Sequence, residues 1–149
     1  MFKLQRNGKG KYRYEYRCCD IPGVTCEKSN SETPLNSDGN GNMVYLDRHS
    51  LACSKNNFIS QFKLNRNGAK LQYKYQCCGV SNVQKACYKA NTNFNADGSG
   101  NTVYLDRHRV SCKNNYGITE FKLKRNGGKN KIRYEYECCT VKERVPGKG

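Results

Sequence analysis

The sequence predicts an all-β protein of antiparallel hairpins in tandem repeats of about sixty residues, stapled by disulfides and with little or no helix. Three observations support this: a phrase ending in Asn-Gly occurs three times, alternating aromatic residues follow each copy, and the chain has ten Cys. A chain with no Trp and two Met builds only a small aliphatic core, and small cores are commonly cross-linked. No sustained three-to-four-residue apolar period indicates helix.

The three copies of the phrase read Phe-Lys-Leu-x-Arg-Asn-Gly and begin at Phe2, Phe62 and Phe121. Asn-Gly between two alternating stretches is a strong signal for a hairpin with a type I′ turn. We therefore expect hairpins over residues 2–19, 62–78 and 121–139. Their Tyr residues alternate with charged ones, so the Tyr faces should form the core and Lys and Arg the outer face.

The segments between the hairpins also match each other. Residues 36–49 read Asn-Ser-Asp-Gly-Asn-Gly-Asn-Met-Val-Tyr-Leu-Asp-Arg-His, and residues 95–108 differ from them at few positions. The pattern predicts a Gly-rich loop that leads into a strand, at residues 43–49 and again at 102–108. The organisation is then repeat 1 over 1–61, repeat 2 over 62–120, and a partial repeat 3 over 121–149 that holds a hairpin and a basic tail. Eight to ten strands in a pseudo-threefold or in serial modules both fit.

The cysteines are all candidates for disulfides, because no Cys-x-x-Cys zinc pattern occurs and neighbouring Cys on a strand point to opposite faces. The ten candidates are Cys18, Cys19, Cys26, Cys53, Cys77, Cys78, Cys87, Cys112, Cys138 and Cys139.

The simplest connectivity uses the Cys residues nearest to each other. It pairs Cys53 with Cys77, Cys78 with Cys87, Cys112 with Cys138 and Cys19 with Cys26, and it leaves Cys18 and Cys139 without partners. These two residues would join within one chain, join neighbouring chains, or belong to a longer array. Joining neighbours would give a head-to-tail homo-oligomer or filament.

The formal charge of +15 lies mostly on the hairpins, which hold sixteen Lys and Arg and three Glu. Outward basic stripes attract polyanions such as acidic polysaccharide, an anionic membrane surface or an acidic face of another copy. A solvated surface that maintains solubility is the competing interpretation. We expect no nucleic-acid partner, since the sequence has no zinc finger, basic helix or aromatic ribonucleoprotein motif. The polyanion-binding candidates are Lys11, Arg13, Arg17, Lys70, Lys74, Lys129, Lys131 and Arg133.

The Gly-rich loops place oxygen-bearing side chains at alternate positions, as calcium loops do. Neither loop ends in the bidentate Glu of an EF-hand, although Asp47 and Asp106 could fold back, and the same residues are common in plain turns. Calcium is the one cofactor that this pattern suggests. The candidate ligands are Asp38, Asn40, Asn42, Asp97 and Asn101.

The two His residues stand near acids, as Asp47-Arg48-His49 and Asp106-Arg107-His108. Acid-base catalysis is one interpretation, but a feature copied with its whole surrounding strand favours a structural Asp–His pair. The sequence has no nucleophile elbow, phosphate loop or dinucleotide motif. We expect a protein that is not an enzyme.

The cysteine content predicts an extracellular or cell-surface location. The first residues lack the apolar stretch of a secretory signal, so we expect a mature product, a fragment, or another route to an oxidising compartment. No apolar run is long enough to span a membrane.

The recurring Phe-Lys-Leu-x-Arg-Asn-Gly, Tyr-x-Tyr-x-Cys-Cys and Val-Tyr-Leu-Asp-Arg-His motifs resemble cysteine-rich tandem-repeat proteins that are secreted or displayed on the surface of aquatic protists and algae. The resemblance covers nearly the whole chain and implies extracellular fibres or appendages. We therefore expect a structural module that self-associates, with a carbohydrate- or polyanion-binding module as the alternative. Filaments would indicate the first, and monomers that bind an acidic glycan the second.

Overall fold

The structure is a computed structural model that describes residues 1–8, 10–54 and 56–143, and these contain thirteen strands and four short 3₁₀ helices. The strands are β1 (Phe2–Arg6), β2 (Tyr12–Tyr16), β3 (Thr25–Cys26), β4 (Ser31–Glu32), β5 (Asn36–Ser37), β6 (Ser50–Ala52), β7 (Asn57–Asn67), β8 (Lys70–Gly79), β9 (Val83–Asn91), β10 (Asn95–Ala96), β11 (Arg109–Val110), β12 (Gly117–Arg125) and β13 (Lys131–Glu143). The 3₁₀ helices are η1 (Gly39–Gly41), η2 (Met43–Arg48), η3 (Gly98–Gly100) and η4 (Thr102–Arg107). The basic tail at 144–149 lies outside the described residues.

The prediction of antiparallel β structure is confirmed, and each copy of the phrase forms the first strand of a hairpin. Hairpin 1 is β1 with β2, hairpin 2 is β7 with β8, and hairpin 3 is β12 with β13. The first residues of the three phrases meet: the ring centroids of Phe2, Phe62 and Phe121 lie 4.7 to 5.0 Å apart in all three pairs. The hairpins therefore converge on one core.

The turns differ from the predicted Asn-Gly type I′ turn. In hairpin 2, Asn67 is still paired with Lys70, so the two-residue loop is Gly68–Ala69. Gly68 has φ +59° and Ala69 does not have a positive φ, as in a type II′ turn, where Gly takes the first position. Hairpins 1 and 3 close with longer loops, in which the NH of Asn7 donates to Lys11 and that of Asn126 to Lys131. The Asn-Gly motif marks the hairpin but not the turn residues.

The chain between the hairpins forms two linkers, the first over residues 20–56 and the second over 80–116. Each linker pairs with the hairpin that follows it: β3, β4 and β5 line the outer edge of β8, and β9 and β10 line that of β13. The last strand of each linker pairs with a different hairpin. In the first linker β6 pairs with β12 of hairpin 3, and in the second linker β11 pairs with β1 of hairpin 1.

The predicted linker strands at 43–49 and 102–108 are wrong, because these segments form the helices η2 and η4. The side chain of Asn42 accepts a hydrogen bond from the NH of Val44, and Asn101 does the same for Val103. An Asn at this position caps a helical turn and starts it in place of an extended strand. The helix η2 packs on β12, and η4 packs on β1.

Candidate functional site

Four disulfides fasten the linkers to the hairpins. The first linker is bonded to hairpin 2 by Cys26–Cys78 and Cys53–Cys77, and the second to hairpin 3 by Cys87–Cys139 and Cys112–Cys138. Both cysteines of a linker thus bind the two adjacent cysteines of one hairpin. The remaining pair, Cys18 and Cys19 of hairpin 1, consists of free and exposed thiols.

This connectivity corrects part of the sequence prediction. Cys53–Cys77 and Cys112–Cys138 form as predicted, whereas Cys19–Cys26 and Cys78–Cys87 do not. Cys139, a predicted inter-subunit residue, is fully buried in its bond to Cys87. The physical reason is the strand pairing: β3 places Cys26 opposite Cys78, and β9 places Cys87 opposite Cys139, in the following hairpin.

Among the six strands of the hairpins, two have an outer edge without a hydrogen-bonded partner strand in the described part of the chain. One is the outer edge of β2 in hairpin 1; the corresponding strands of the other hairpins, β8 and β13, are paired there with linker strands. The other is the outer edge of β7 in hairpin 2; the corresponding strands β1 and β12 are paired there with β11 and β6. We call this region, formed by the β2 and β7 edges with Cys18 and Cys19, the open side. Unpaired NH and C=O groups in a row can pair with an added strand.

The tyrosines of β2 are exposed on the open side, contrary to the prediction that all Tyr faces form the core. Tyr14 is 36 % exposed, whereas the corresponding Tyr73 and Tyr134 are 3 % and 4 % exposed. Tyr14 still packs against the rings of Phe2 and Phe62. Burial raises the pKa of Tyr14 above the ordinary value, and it raises that of Tyr73 and Tyr134 well above it. Tyr16 is 72 % exposed, although the corresponding Tyr75 donates a hydrogen bond to a linker carbonyl, that of Ala52. A linker is what buries this face.

The β7 edge shows the same contrast. Leu64 is 39 % exposed, whereas Leu4 and Leu123, at the same place in the phrase, are 8 % and 2 % exposed. A cleft of about 450 Å³ lies between the two edges and is lined by Tyr14, Tyr16, Phe62 and other residues. A second cleft of about 420 Å³ continues past Cys18 and Cys19. The open side is therefore an apolar groove with two thiols in it.

In the positions that linkers occupy, a Thr and a His fix the linker on the hairpin. The NH of Tyr73 donates to Thr33 Oγ1 at 2.8 Å, and the Thr33 NH donates to the Tyr73 carbonyl at 2.9 Å. Thr33 Oγ1 also lies 2.7 Å from His49 Nδ1. The hydroxyl has a second lone pair as well as its own proton, so the direction of this hydrogen bond follows the tautomer of His49.

The second linker repeats this arrangement with Thr92, His108 and Tyr134. Both His are buried, and burial lowers the pKa of each. The predicted Asp–His pairs do not form, because each His faces a Thr instead. Sequence reasoning missed the Thr: the only signal was that it stands 16 residues before His in both linkers.

Four of the five calcium candidates, Asp38, Asn42, Asp97 and Asn101, serve as turn caps or ion-pair partners. Asp38 accepts from the NH of Asn40 and from Arg66 at 3.0 Å, and Asp97 accepts from Ser99 and lies 3.8 Å from Arg125. Asn42 and Asn101 cap η2 and η4. These oxygens have partners within the protein, and calcium binding stays a prediction.

The predicted polyanion-binding residues lie on three separate hairpins. Arg13 lies 3.7 Å from Glu15, Lys74 lies 3.5 Å from Glu32, and Arg133 lies 2.6 Å from Glu135 and stacks on a Phe ring. The other five are exposed and form no ion pair in the described residues: Lys11, Arg17, Lys70, Lys129 and Lys131. Polyanion binding stays a prediction.

In the described residues, one group of side chains has metal-ligand spacing, Cys87, Glu137 and Cys139, and its two sulfurs are joined in a disulfide. None of the helices in this part of the chain is long and apolar enough to cross a membrane. No protein-family model, curated protein or solved structure matches this chain. The open side is therefore the candidate functional site.

Proposed function

We propose that the protein is a structural subunit of an extracellular assembly and is joined to its neighbours through the open side. The observation that carries this proposal is the coincidence, on one side of the molecule, of two unpaired strand edges, a row of exposed Tyr and two free thiols. Strand addition at such an edge is a common mode of protein association. The four disulfides are consistent with an extracellular location.

The sequence predicted that Cys18 and Cys139 would join neighbouring chains. Cys139 is bonded to Cys87, and the second free thiol is that of Cys19. A covalent joint between subunits now involves Cys18 and Cys19 together, next to the edge that would pair. In this proposal one hairpin and one linker form a repeat unit of about sixty residues. The three hairpins meet at Phe2, Phe62 and Phe121, and the described residues fill two of three linker positions.

The test is oxidative assembly of the purified chain. The protein is incubated over a range of concentrations in glutathione redox buffer and followed by light scattering, non-reducing electrophoresis and negative-stain microscopy. We expect disulfide-linked oligomers that increase with concentration. The matched control is the double variant Cys18→Ser/Cys19→Ser, in which two exposed thiols are removed and the four disulfides are kept.

The outcome that would contradict the proposal is a monomer at every concentration, with or without the two thiols. Oligomers that form equally well in the double variant would show that Cys18 and Cys19 do not join the subunits and would also contradict the proposal.

A further inference from the structure

We infer that the open side binds a linker-type segment supplied by another polypeptide chain, which crosses from β2 to β7 and forms disulfides with both Cys18 and Cys19. A linker-type segment is one with the pattern of residues 80–116: a first Cys, a Thr, an Asp-Gly loop, Leu-Asp-Arg-His, and a second Cys. This inference rests on the proposed function and names the partner at the same site.

The two filled positions show how the third is to be filled. In both, the linker pairs with the second strand of one hairpin and ends on the first strand of the next hairpin. The first linker pairs with β8 and then with β12, and the second linker pairs with β13 and then with β1. The remaining strands of the hairpins are β2 and β7, which are the two unpaired edges. One added segment would therefore pair both.

The hydrogen-bonding groups of hairpin 1 match such a segment. In the filled positions the NH and carbonyl of the central Tyr bond to a linker Thr, at Tyr73 and again at Tyr134. Tyr14 occupies the same place on β2, which has no neighbour on that edge. The Thr of the segment would bond to Tyr14, and its His would hydrogen-bond to the Thr.

The charges of hairpin 1 also match. Arg66 and Arg125, the Arg residues of the second and third phrases, pair with the Asp of the linker beside them at 3.0 and 3.8 Å. Arg6 of the first phrase is exposed and donates only to the carbonyl of Gly8 at 3.3 Å. The Asp-Gly loop of an added segment would supply the missing carboxylate.

The contact between the two existing linkers gives an independent indication. A Cβ at Gly100 of the second linker would meet the side chain of Asn42 of the first at 2.0 Å, so the two loops are tightly packed there. Gly41, the corresponding residue of the first linker, has nothing within 4 Å. Asn101, which corresponds to Asn42, is exposed. A third loop between Gly41 and Asn101 would complete the contacts.

Identical copies can be joined by disulfides between their own Cys18 and Cys19, as in the proposed assembly, but an identical copy is not the expected donor of a linker-type segment. The described residues form three hairpins and two linkers, so an exchange of these linkers between copies fills one position only by emptying another. The donor must carry a linker-type segment that has no position of its own to fill. Edge-to-edge pairing of two copies is then an alternative outcome of the test.

Each covalent bond forms by oxidation with a low-molecular-weight disulfide such as glutathione disulfide. A protein thiolate attacks this disulfide to give a mixed disulfide and one glutathione thiolate, and the segment's thiolate then displaces the second glutathione. Two thiols and one glutathione disulfide give one interchain disulfide and two glutathione molecules. The pairing follows the filled positions: Cys19 bonds to the first Cys of the segment and Cys18 to the second.

The experiment uses the full chain and a synthetic peptide with the sequence of residues 80–116, in glutathione buffer. One protein variant, Cys18→Ser, keeps the Cys19 thiol, and another, Cys19→Ser, keeps Cys18; both changes are at exposed positions. Each is mixed with a peptide that keeps only Cys87 or only Cys112. Intact mass measures the interchain disulfide, and amide hydrogen exchange is followed at residues 12–16 and 62–66.

We expect the matched pairs, Cys19 with the Cys87 peptide and Cys18 with the Cys112 peptide, to form about tenfold more disulfide than the crossed pairs, because binding raises the effective thiol concentration. Exchange should slow at both β2 and β7. A peptide with Leu105→Asp and Thr92→Ala is the control and should form no more disulfide than the crossed pairs. The Arg6→Ala variant should reduce capture of the matched peptide.

Equal yields from matched and crossed pairs, or unchanged exchange at β2 and β7, would overturn the inference. If the peptide is not captured but the chain forms oligomers through Cys18 and Cys19, the proposed function stands and this inference fails. If the peptide is captured and the chain stays monomeric alone, the site is correct and self-association of this chain is not its role.

Discussion

Truncation of the Leu in each hairpin phrase should separate covered from uncovered hairpins. Leu123 is 2 % exposed on β12, which η2 of the first linker covers, and Leu64 is 39 % exposed on β7. Leu→Ala in a closed core costs about 2–5 kcal/mol, which includes the cavity that remains. Full burial of a Leu contributes about 1.5–3 kcal/mol, and Leu64 has only part of that burial with no closed cavity, so Leu64→Ala should cost about 1 kcal/mol.

The expected difference between the two variants is thus about 2 kcal/mol in the free energy of unfolding. With a slope of about 2 kcal/mol per molar urea, the midpoint of Leu123→Ala should lie about 1 M below that of Leu64→Ala. The assay is urea unfolding with the disulfides intact, followed by circular dichroism. Leu4→Ala, at a residue 8 % exposed, should behave like Leu123→Ala. Equal midpoints for all three variants would refute the reasoning, since then the β7 edge is as well covered as the others.

Three further predictions test other parts of the structure. The native protein should take up two equivalents of maleimide at Cys18 and Cys19, and all ten Cys should react after reduction and unfolding; intact mass gives the count, and no native labelling would contradict it. Burial lowers the pKa of His49 and His108 in the folded state, so the unfolded chain takes up protons first as the pH falls below about 6.5. The free energy of unfolding should therefore decrease below that pH, with a slope of up to about 1.4 kcal/mol per pH unit for each His. Urea unfolding between pH 7.5 and 5 measures this, and a slope that persists in His49→Gln/His108→Gln would assign it to other groups. Gly41 and Gly100 have similar φ of +83° and +87°, but only a Cβ at Gly100 meets another side chain. In thermal unfolding, Gly100→Ala should therefore lower the melting temperature more than Gly41→Ala. Equal decreases in melting temperature would indicate that the loops are not packed as described.

The hairpins could be predicted because their signals are local. Alternation of Tyr with charged residues specifies a strand, and an Asn-Gly between two strands specifies a hairpin. The turn in hairpin 2 shifted by one residue because Gly68 can take the first position of a type II′ turn and let Asn67 stay paired. The helix at 43–48 was missed because Val-Tyr-Leu resembles a strand, whereas the Asn42 side chain that starts the helix acts through a cap.

The attachment of the linkers could not be predicted, because nothing local distinguishes the hairpin before a linker from the one after it. Cys26 stands close in sequence to Cys19, yet it bonds to Cys78, which is 52 residues away. The distant bond forms because β3 pairs with β8, and a disulfide follows strand pairing.

The direction of linker attachment also decides where the unpaired cysteines lie. The three hairpins carry six cysteines and the two linkers carry four, so four bonds from linker to hairpin leave two hairpin cysteines without a linker partner, whichever hairpin each linker joins. Had each linker divided its bonds between both neighbours, one free thiol would lie near each end of the chain, at Cys18 and Cys139. Since each linker bonds wholly to the following hairpin, both free thiols fall on hairpin 1, at Cys18 and Cys19.

The three Leu residues of the phrase exclude a local cause for the open side. Leu4, Leu64 and Leu123 lie in nearly identical sequences and in the same kind of strand, yet their exposures are 8 %, 39 % and 2 %. A difference between positions of the same local sequence must come from what the rest of the chain places over them. Leu4 and Leu123 are covered by a linker helix, and the same cover over Leu64 would come from the segment that also reaches Cys18 and Cys19. With the proposed linker-type partner, the exposure of Leu64 and the freedom of the two thiols on hairpin 1 would be two consequences of one unfilled linker position.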